Sequence, residues 1–272
     1  MYGESHMLFQ QIRGATSIIT FGGVRFLVDP FLARKGTLPA VPSPWNNSPN
    51  PLVELPLPVE DIVAVDAVIV THMHHFDHFD RAACEALDKA LPVFTRNEAE
   101  AEDMRTSGFR HVEALTAEGA DFRGVTLQKT EALHGKGEAA ARNYAQFGLP
   151  SEACGVLFSA EGEKRLYIAG DTVWFQGVAD VLEKFRPEVV ALNAAWAQFY
   201  DGTPILMGPE ELARVAASAP QAMLIATHMD AVNHARLDRA QLRRFVRERG
   251  LEGRFLIPED GEILNLPFQG KA

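Results

Sequence analysis

The stretch Val68-Ile-Val-Thr-His-Met-His-His-Phe-Asp-His-Phe-Asp80 decides how this chain is read. It places four of the nine histidines and two carboxylates directly after an apolar run. Imidazole and carboxylate are the side chains that a borderline divalent ion such as zinc selects. The run Val63–Val70 reads as a buried strand, and a loop leaving a strand can aim several groups at one point while the sheet holds it still. A histidine-rich surface loop is the plain alternative. It gives no reason for matching positions elsewhere in the chain, and such positions exist.

Working outward, four further strand ends carry a polar group of the right kind. Gly124-Val-Thr-Leu-Gln-Lys-Thr130 alternates like a strand and leads to His134-Gly135. Ala153–Ser159 and Lys164–Ala169 read as a hairpin that ends in Gly170-Asp171-Thr172. Val189–Asn193 is an apolar strand with Asn193 at its tip. Ala222–His228 repeats the first pattern, with an apolar run, a threonine, then His228. Open sheets place ligands beyond the carboxyl ends of strands, so these positions are expected to converge.

The rest of the chain supplies scaffold. Thr16–Phe21 and Val24–Val28 form a hairpin about Gly22-Gly23, whose positive φ suits a tight turn. Asp29-Pro30 ends it, with Asp29 as a turn residue or as a partner of a metal-binding histidine. A proline-rich segment from Lys35 to Pro58 carries Trp45 and is expected to fold as an ordered flap or a surface excursion. Helices are expected over Arg81–Leu91 with Asp80 as N-cap, Glu98–Ser107, Val178–Phe185, Glu210–Ala217 and Leu237–Arg249. His111, on the alternating run Phe109–Leu115, is expected to face solvent. Trp45, Trp174, Trp196, Phe199 and Tyr200 are candidate pocket walls, with the run Trp196–Tyr200 the best placed. A two-sheet core with helices outside, in one domain over residues 1–272, fits this order.

Composition narrows the function. The 272 residues are 47% hydrophobic with a net charge of -10, which argues against a general nucleic-acid binder. No window reaches the roughly 20 apolar residues of a membrane helix. The stretch Met1–Met7 lacks a basic region followed by an apolar core, so no signal peptide is expected. Cys84 and Cys154 are isolated, as in a reduced cytoplasmic chain. A small-molecule substrate is the expected partner, and assembly into a homo-oligomer stays open.

The ordered set His-x-His-(x)-Asp-His, a later histidine, Gly-Asp-Thr and a final Thr-His resembles the metallo-β-lactamase superfamily over residues 10–265, most of all its lactonase and phosphodiesterase-like hydrolases. The resemblance implies an α+β fold, a four-layer αβ/βα sandwich of two mixed sheets with helices on the outer faces. It also implies two divalent ions at one sheet edge, zinc first, with manganese and iron as alternatives. Carried over by position, His72, His74 and His134 would hold one ion; Asp77, His78 and His228 the second; Asp171 would bridge them. The spacing departs from the family in one place, since His74-His75-Phe76-Asp77 holds one residue too many. Counting forward from Thr71 selects His72 and His74. A mixed solution uses His72 and His75.

Two divalent ions roughly 3.5–4 Å apart lower the pKa of a shared water toward 7 and stabilise an oxyanion. Asp77 would ligate and orient the nucleophile, and His234 would serve the leaving group. The expected activity is hydrolysis of a small ester, lactone or phosphodiester. Di-iron redox chemistry would call for a glutamate in place of the second histidine and a flavin domain. A non-catalytic, single-metal sensor of the same fold is the alternative that the irregular spacing favours.

Overall fold

The computed structural model of the protein describes residues 6–267. Most of the stretch Met1–Met7, where no leader is expected, lies outside the described residues. In chain order the strands are β1 (His6–Arg13), β2 (Thr16–Phe21), β3 (Val24–Val28), β4 (Ala67–Val70), β5 (Pro92–Thr95) and β6 (His111–Ala114). They continue as β7 (Ala120–Phe122), β8 (Val125–Glu131), β9 (Cys154–Ser159), β10 (Leu166–Ile168), β11 (Val189–Asn193), β12 (Met223–Thr227), β13 (Phe255–Leu256) and β14 (Ile263–Pro267). The helices are α1 (Val59–Ile62), α2 (Arg81–Ala86), α3 (Glu98–Thr106), α4 (Gly137–Phe147), α5 (Gln176–Phe185), α6 (Pro209–Ser218) and α7 (Arg239–Glu248).

Two seven-stranded sheets result, one ordered β14-β1-β2-β3-β4-β5-β6 and the other β13-β12-β11-β10-β9-β8-β7. Each is mixed. β3 to β6 run parallel, as do β10 to β13, while the hairpin strands beside them are antiparallel. The two halves therefore repeat one plan, with β14 returning from the end of the chain to pair with β1.

Strand periodicity explains the layers. On β4, Ala67 and Ile69 face the second sheet, while Val68 and Val70 face the outer layer with Ala83 of α2 and Met104 of α3. On β11, Val189 and Ala191 face inward, and Val190 and Leu192 face outward onto Val178 of α5, Leu212 of α6 and Leu242 of α7. Strands buried on both faces read as continuous apolar runs, which is why β4, β11 and β12 stand out in the sequence. Between the sheets, Phe158 of β9 meets Phe21 and Phe26 at 5.6 and 5.4 Å, the second pair edge to face at 83°. The architecture is the α+β sandwich expected.

Differences from expectation are local. β4 begins at Ala67, because Asp66 turns to accept the Arg25 backbone N–H. α2 stops at Ala86, with Leu87 extended. Asp80 caps it by accepting from Ala83 N at 2.7 Å, as expected. The segment after His134 forms α4, which the sequence reading does not include. Glycines at 135 and 137, both at positive φ, mask its start, and Gly148 ends it in the left-handed region.

Candidate metal centre

Every residue of the centre leaves the carboxyl end of a strand. The loop after β4 supplies His72, His75, Asp77 and His78, closed by a turn in which His78 N and Phe79 N donate to His75 O. His134 follows β8, Asp171 follows β10, and His228 follows β12. Gly170 makes the Asp171 turn possible: its φ is +67°, and a Cβ there would lie 2.2 Å from the Cys154 carbonyl oxygen. His228 itself adopts φ +60° while its N–H donates to Gly14 O at 2.7 Å. A left-handed histidine costs of order 1–3 kcal/mol, and such strain concentrates at functional sites.

Three overlapping sets of ligand atoms form, each with its members within 4.8 Å of one another: His72, His75 and His134; His72, His78 and Asp171; Asp77, His78 and His228. Asp171 lies at the middle. Its Oδ2 is 3.2 Å from His78 Nε2, 3.4 Å from His134 Nε2 and 3.8 Å from His72 Nε2, and its Oδ1 is 3.9 Å from His228 Nε2. Asp77 Oδ2 lies 3.2 Å from His228 Nε2. The expected second ligand, His74, does not join them. It is exposed at the rim, with Nε2 3.9 Å from Asp103 on α3. His75 stands in its place, so the extra residue of the loop is accommodated by turning His74 outward.

Outer contacts engage one ring nitrogen each of His72, His75, His78 and His134. A carbonyl only accepts, so His134 Nδ1 donates to Ile205 O at 3.0 Å and His75 Nε2 donates to Pro150 O at 3.1 Å. Thr71 Oγ1 gives its hydrogen to Asp29 Oδ2 at 2.8 Å and accepts from His72 Nδ1 at 3.2 Å. His78 Nδ1 sits 2.9 Å from Asp29 Oδ2. With those bonds made, His72 Nε2, His75 Nδ1 and His134 Nε2 are left with lone pairs. His72 Nε2 and His75 Nδ1 then oppose each other at 3.2 Å, an arrangement a cation relieves. His78 Nε2 and both ring nitrogens of His228 are buried without a hydrogen-bond partner. This donor set fits a divalent metal ion.

Asp29, at φ +47°, is therefore the outer partner of His78 as well as a turn residue. On the other sheet, Asn193 Nδ2 donates to Asp171 Oδ1 at 2.6 Å, and Thr227 Oγ1 donates to Asn193 Oδ1 at 2.6 Å. Asn193, expected at the site, holds Asp171 in position.

The electrostatics follow from burial of these groups together. Burial alone would raise both carboxylates, but His78, His134 and His228 hold Asp171 well below the usual range, and His228 and His78 do the same for Asp77. Burial pushes His75 down to about 4, and burial with the His78 and His75 charges drives His72 well below its ordinary value. His134 is lowered by burial. His78 is raised despite burial, by Asp171 and Asp29. His234, also buried, is pushed down to about 4; its Nδ1 has no partner and it lines the same chamber. A neutral imidazole there offers a hydrogen bond, not a positive charge.

A small chamber of ≈ 90 Å³ opens onto the cluster. Its apolar wall is Val41, Phe76, Tyr144, Phe199, Ile205 and Leu206, and among the described residues no lysine or arginine lines it. Of the expected wall aromatics, Phe199 alone lies on this chamber. Trp174 and Trp196 pack against the outer core of the second sheet, and Trp196, at φ +49°, lies over Gly208. Tyr200 is 64% exposed, and Trp45 stacks under Arg236 at 4.2 Å. The proline-rich segment is an ordered flap. Buried Asn233 fastens it through Val41, Asn46 and Asn50 to the loop between His228 and His234. Tyr144 escapes the sequence reading because α4 does; Ala140 and Tyr144, four residues apart and both buried, are the signal that helical spacing would have given.

This fold with this cluster at its strand ends defines a metal-dependent hydrolase of the metallo-β-lactamase type. The chain belongs to that superfamily: the model of the beta-lactamase superfamily domain matches residues 24–229. Within it, the chain is 41% identical to the UPF0173 protein YddR of Bacillus subtilis, over 94% of this chain and 98% of that one. Among solved structures, an isothiocyanate hydrolase from Delia radicum gut bacteria superposes with a TM-score of 0.91 at 40% identity, covering 96% of this chain and all of that one. A possible metal-dependent hydrolase from Veillonella parvula does so at 0.90 and 36%, with the same coverage.

Proposed function

We propose that this chain hydrolyses a small, uncharged electrophile with an apolar substituent, using two divalent ions, zinc first. His72, His75 and His134 would hold one ion, Asp77, His78 and His228 the other, and Asp171 would bridge. The chamber carries the reading: it is small, apolar and free of lysine and arginine among the described residues. A phosphodiester, anionic before reaction, finds no cationic side chain there, so it is the least supported of the expected substrates. Isothiocyanates, short esters and lactones are neutral and small enough, and the 40% identical neighbour is an isothiocyanate hydrolase.

When bound, the ions would supply Lewis acidity and bring the pKa of a water into the neutral range. The chain's own groups do the rest. Asp77, ionised and turned to the chamber, orients the water and receives its proton. The apolar wall holds the substituent and excludes bulk water. His234, neutral, donates a hydrogen bond to a heteroatom of the substrate. With an isothiocyanate, one water adds across the C=N bond, oxygen to carbon and hydrogen to nitrogen. The thiocarbamic acid formed then loses carbonyl sulfide to leave the amine. The two cysteines are free thiols, as suits the cytoplasm.

The test is turnover by zinc-loaded protein of an alkyl isothiocyanate, a short-chain ester, a lactone and bis(p-nitrophenyl) phosphate. Neutral substrates should be preferred by about 100-fold or more in kcat/KM, roughly the 2.7 kcal/mol that a mismatched charge would cost. Preference for the phosphodiester would sink the reading.

A further inference from the structure

α4 and the turn after it are built into the centre twice. Pro150 O fixes His75, and from the helix itself Tyr144 brings its ring against His134, at 5.5 Å, and Phe199, at 4.9 Å. Tyr144 also stacks on His75, with centroids 6.1 Å apart at 20°. The side chain is only 4% exposed, yet its hydroxyl meets no hydrogen-bond partner in the protein. It lines the chamber that Asp77, Asp171 and His234 also line. A buried hydroxyl without a partner costs about 1–3 kcal/mol. The rings packed against it are Phe199 and two histidines whose outer nitrogens are already engaged. A structural role would be met equally well by phenylalanine.

We propose that Tyr144 is a catalytic residue: its Oη–H donates a hydrogen bond to the substrate heteroatom that becomes negative when the central carbon is attacked. The inference rests on the hydrolase reading above. In the isothiocyanate case the water oxygen forms the new C–O bond, the C=N π pair moves to nitrogen, and Tyr144 stabilises that nitrogen. The proton lost by the water passes through Asp77 to the nitrogen, so Tyr144 keeps its own. A phenol keeps its proton at neutral pH, so Oη–H is available to donate. Such a donor is strongest where charge develops, and losing one costs about 10²–10³ in kcat when it is preorganised.

The experiment pairs Tyr144→Phe with zinc-loaded wild type and two measurements. In turnover of the substrate panel, kcat should fall about 100-fold with KM within about threefold. In calorimetric binding of butylboronic acid, whose boron takes up hydroxide to become a tetrahedral anion, affinity should weaken about tenfold. Zinc content and Tm should match wild type, which a merely structural role for Oη would not combine with these losses. Equal boronate affinity in the two proteins, or no binding by wild type, overturns the assignment. A boronate difference without turnover of any panel member by wild type sinks the substrate reading and leaves Tyr144 standing. Turnover unchanged in Tyr144→Phe does the reverse. Should that variant be unstable, biosynthetic 3-fluorotyrosine, a stronger donor, should tighten boronate binding instead; weaker or unchanged binding would count against Tyr144.

Discussion

The two sheets deliver their candidate ligands in opposite ways. The first concentrates them, with His72, His75, Asp77 and His78 on the one loop after β4. The second spreads them, giving His134, Asp171 and His228 singly from the ends of β8, β10 and β12. A single residue at a strand end has its direction set largely by the strand, because the pleat and the ladder leave little freedom, with His134 held in addition by Ile205 O. A loop such as the one from His72 to His78 has its directions set by what packs over it. Here that is Pro150, whose carbonyl engages His75 from 75 positions along the chain. The spread half is therefore stiff by construction, and the concentrated half depends on a distant segment.

Substitutions should separate the halves. The largest effect is expected from Asp171→Ala, the shared residue. It should abolish metal retention, measured by elemental analysis, and lower turnover about 10³-fold or more, equivalent to several kcal/mol of transition-state stabilisation. Within the loop, His75→Ala should lose bound metal and about 100-fold in activity. His74→Ala should stay within about twofold, as surface changes do. The reverse result would mean that the loop turns over when metal binds. Stripping the metal with a chelator should lower Tm, since the buried carboxylates and lone pairs then oppose one another, and added zinc should restore it.

The same contrast explains what was legible. The central strands of both sheets, the helices α2, α3, α5, α6 and α7, and the positions of His134, Asp171 and His228 follow from local apolar patterns and from polar residues at strand ends; β7, β14, α1 and α4 do not. His72, Asp77 and His78 were also reachable, since they lie where the family spacing needs them. The choice between His74 and His75 was not, because it rests on a carbonyl in a segment that no local pattern ties to the loop. Tyr144 shares that cause: the glycines at 135 and 137 broke the helical pattern that would have exposed it. Asp29 as partner of His78 was legible only as an alternative, because an aspartate before a proline has an ordinary use in turns.

Outer contacts offer a finer test of the contrast. Asp29→Ala frees both Thr71 and His78 in the concentrated loop, whereas Asn193→Ala frees one carboxylate oxygen of Asp171. Each should weaken metal affinity within the roughly 10- to 100-fold range typical of such partners. The loop variant should lie at the upper end, because two ligands lose their orientation. Competition with a fluorescent zinc chelator measures both, and equal losses would show that the loop is as stiff as the sheet that opposes it.

The smallest effect is expected at the other end of β4, where the halves are joined far from the metal centre. Asp66 accepts from Arg25 N at 2.9 Å and pairs with Arg123, in the turn between β7 and β8, at 2.6 Å. The backbone hydrogen bond from Arg25, aided by Arg123, holds this carboxyl below its ordinary value of 3.8. A depressed folded-state pKa contributes stability that is complete above the ordinary value and lost as the pH falls through the folded one. Asp66→Asn should therefore lower Tm at about pH 7, and the deficit should shrink as the pH falls below 3.8. The pair is largely solvated, so the shift should not exceed about 2 °C. Metal content and turnover should not change, because the parallel ladder from β3 to β6 holds the carboxyl end of β4 without this contact. If activity fell with Tm, the loop after β4 would depend on how the sheets are joined as well as on the segment that covers it.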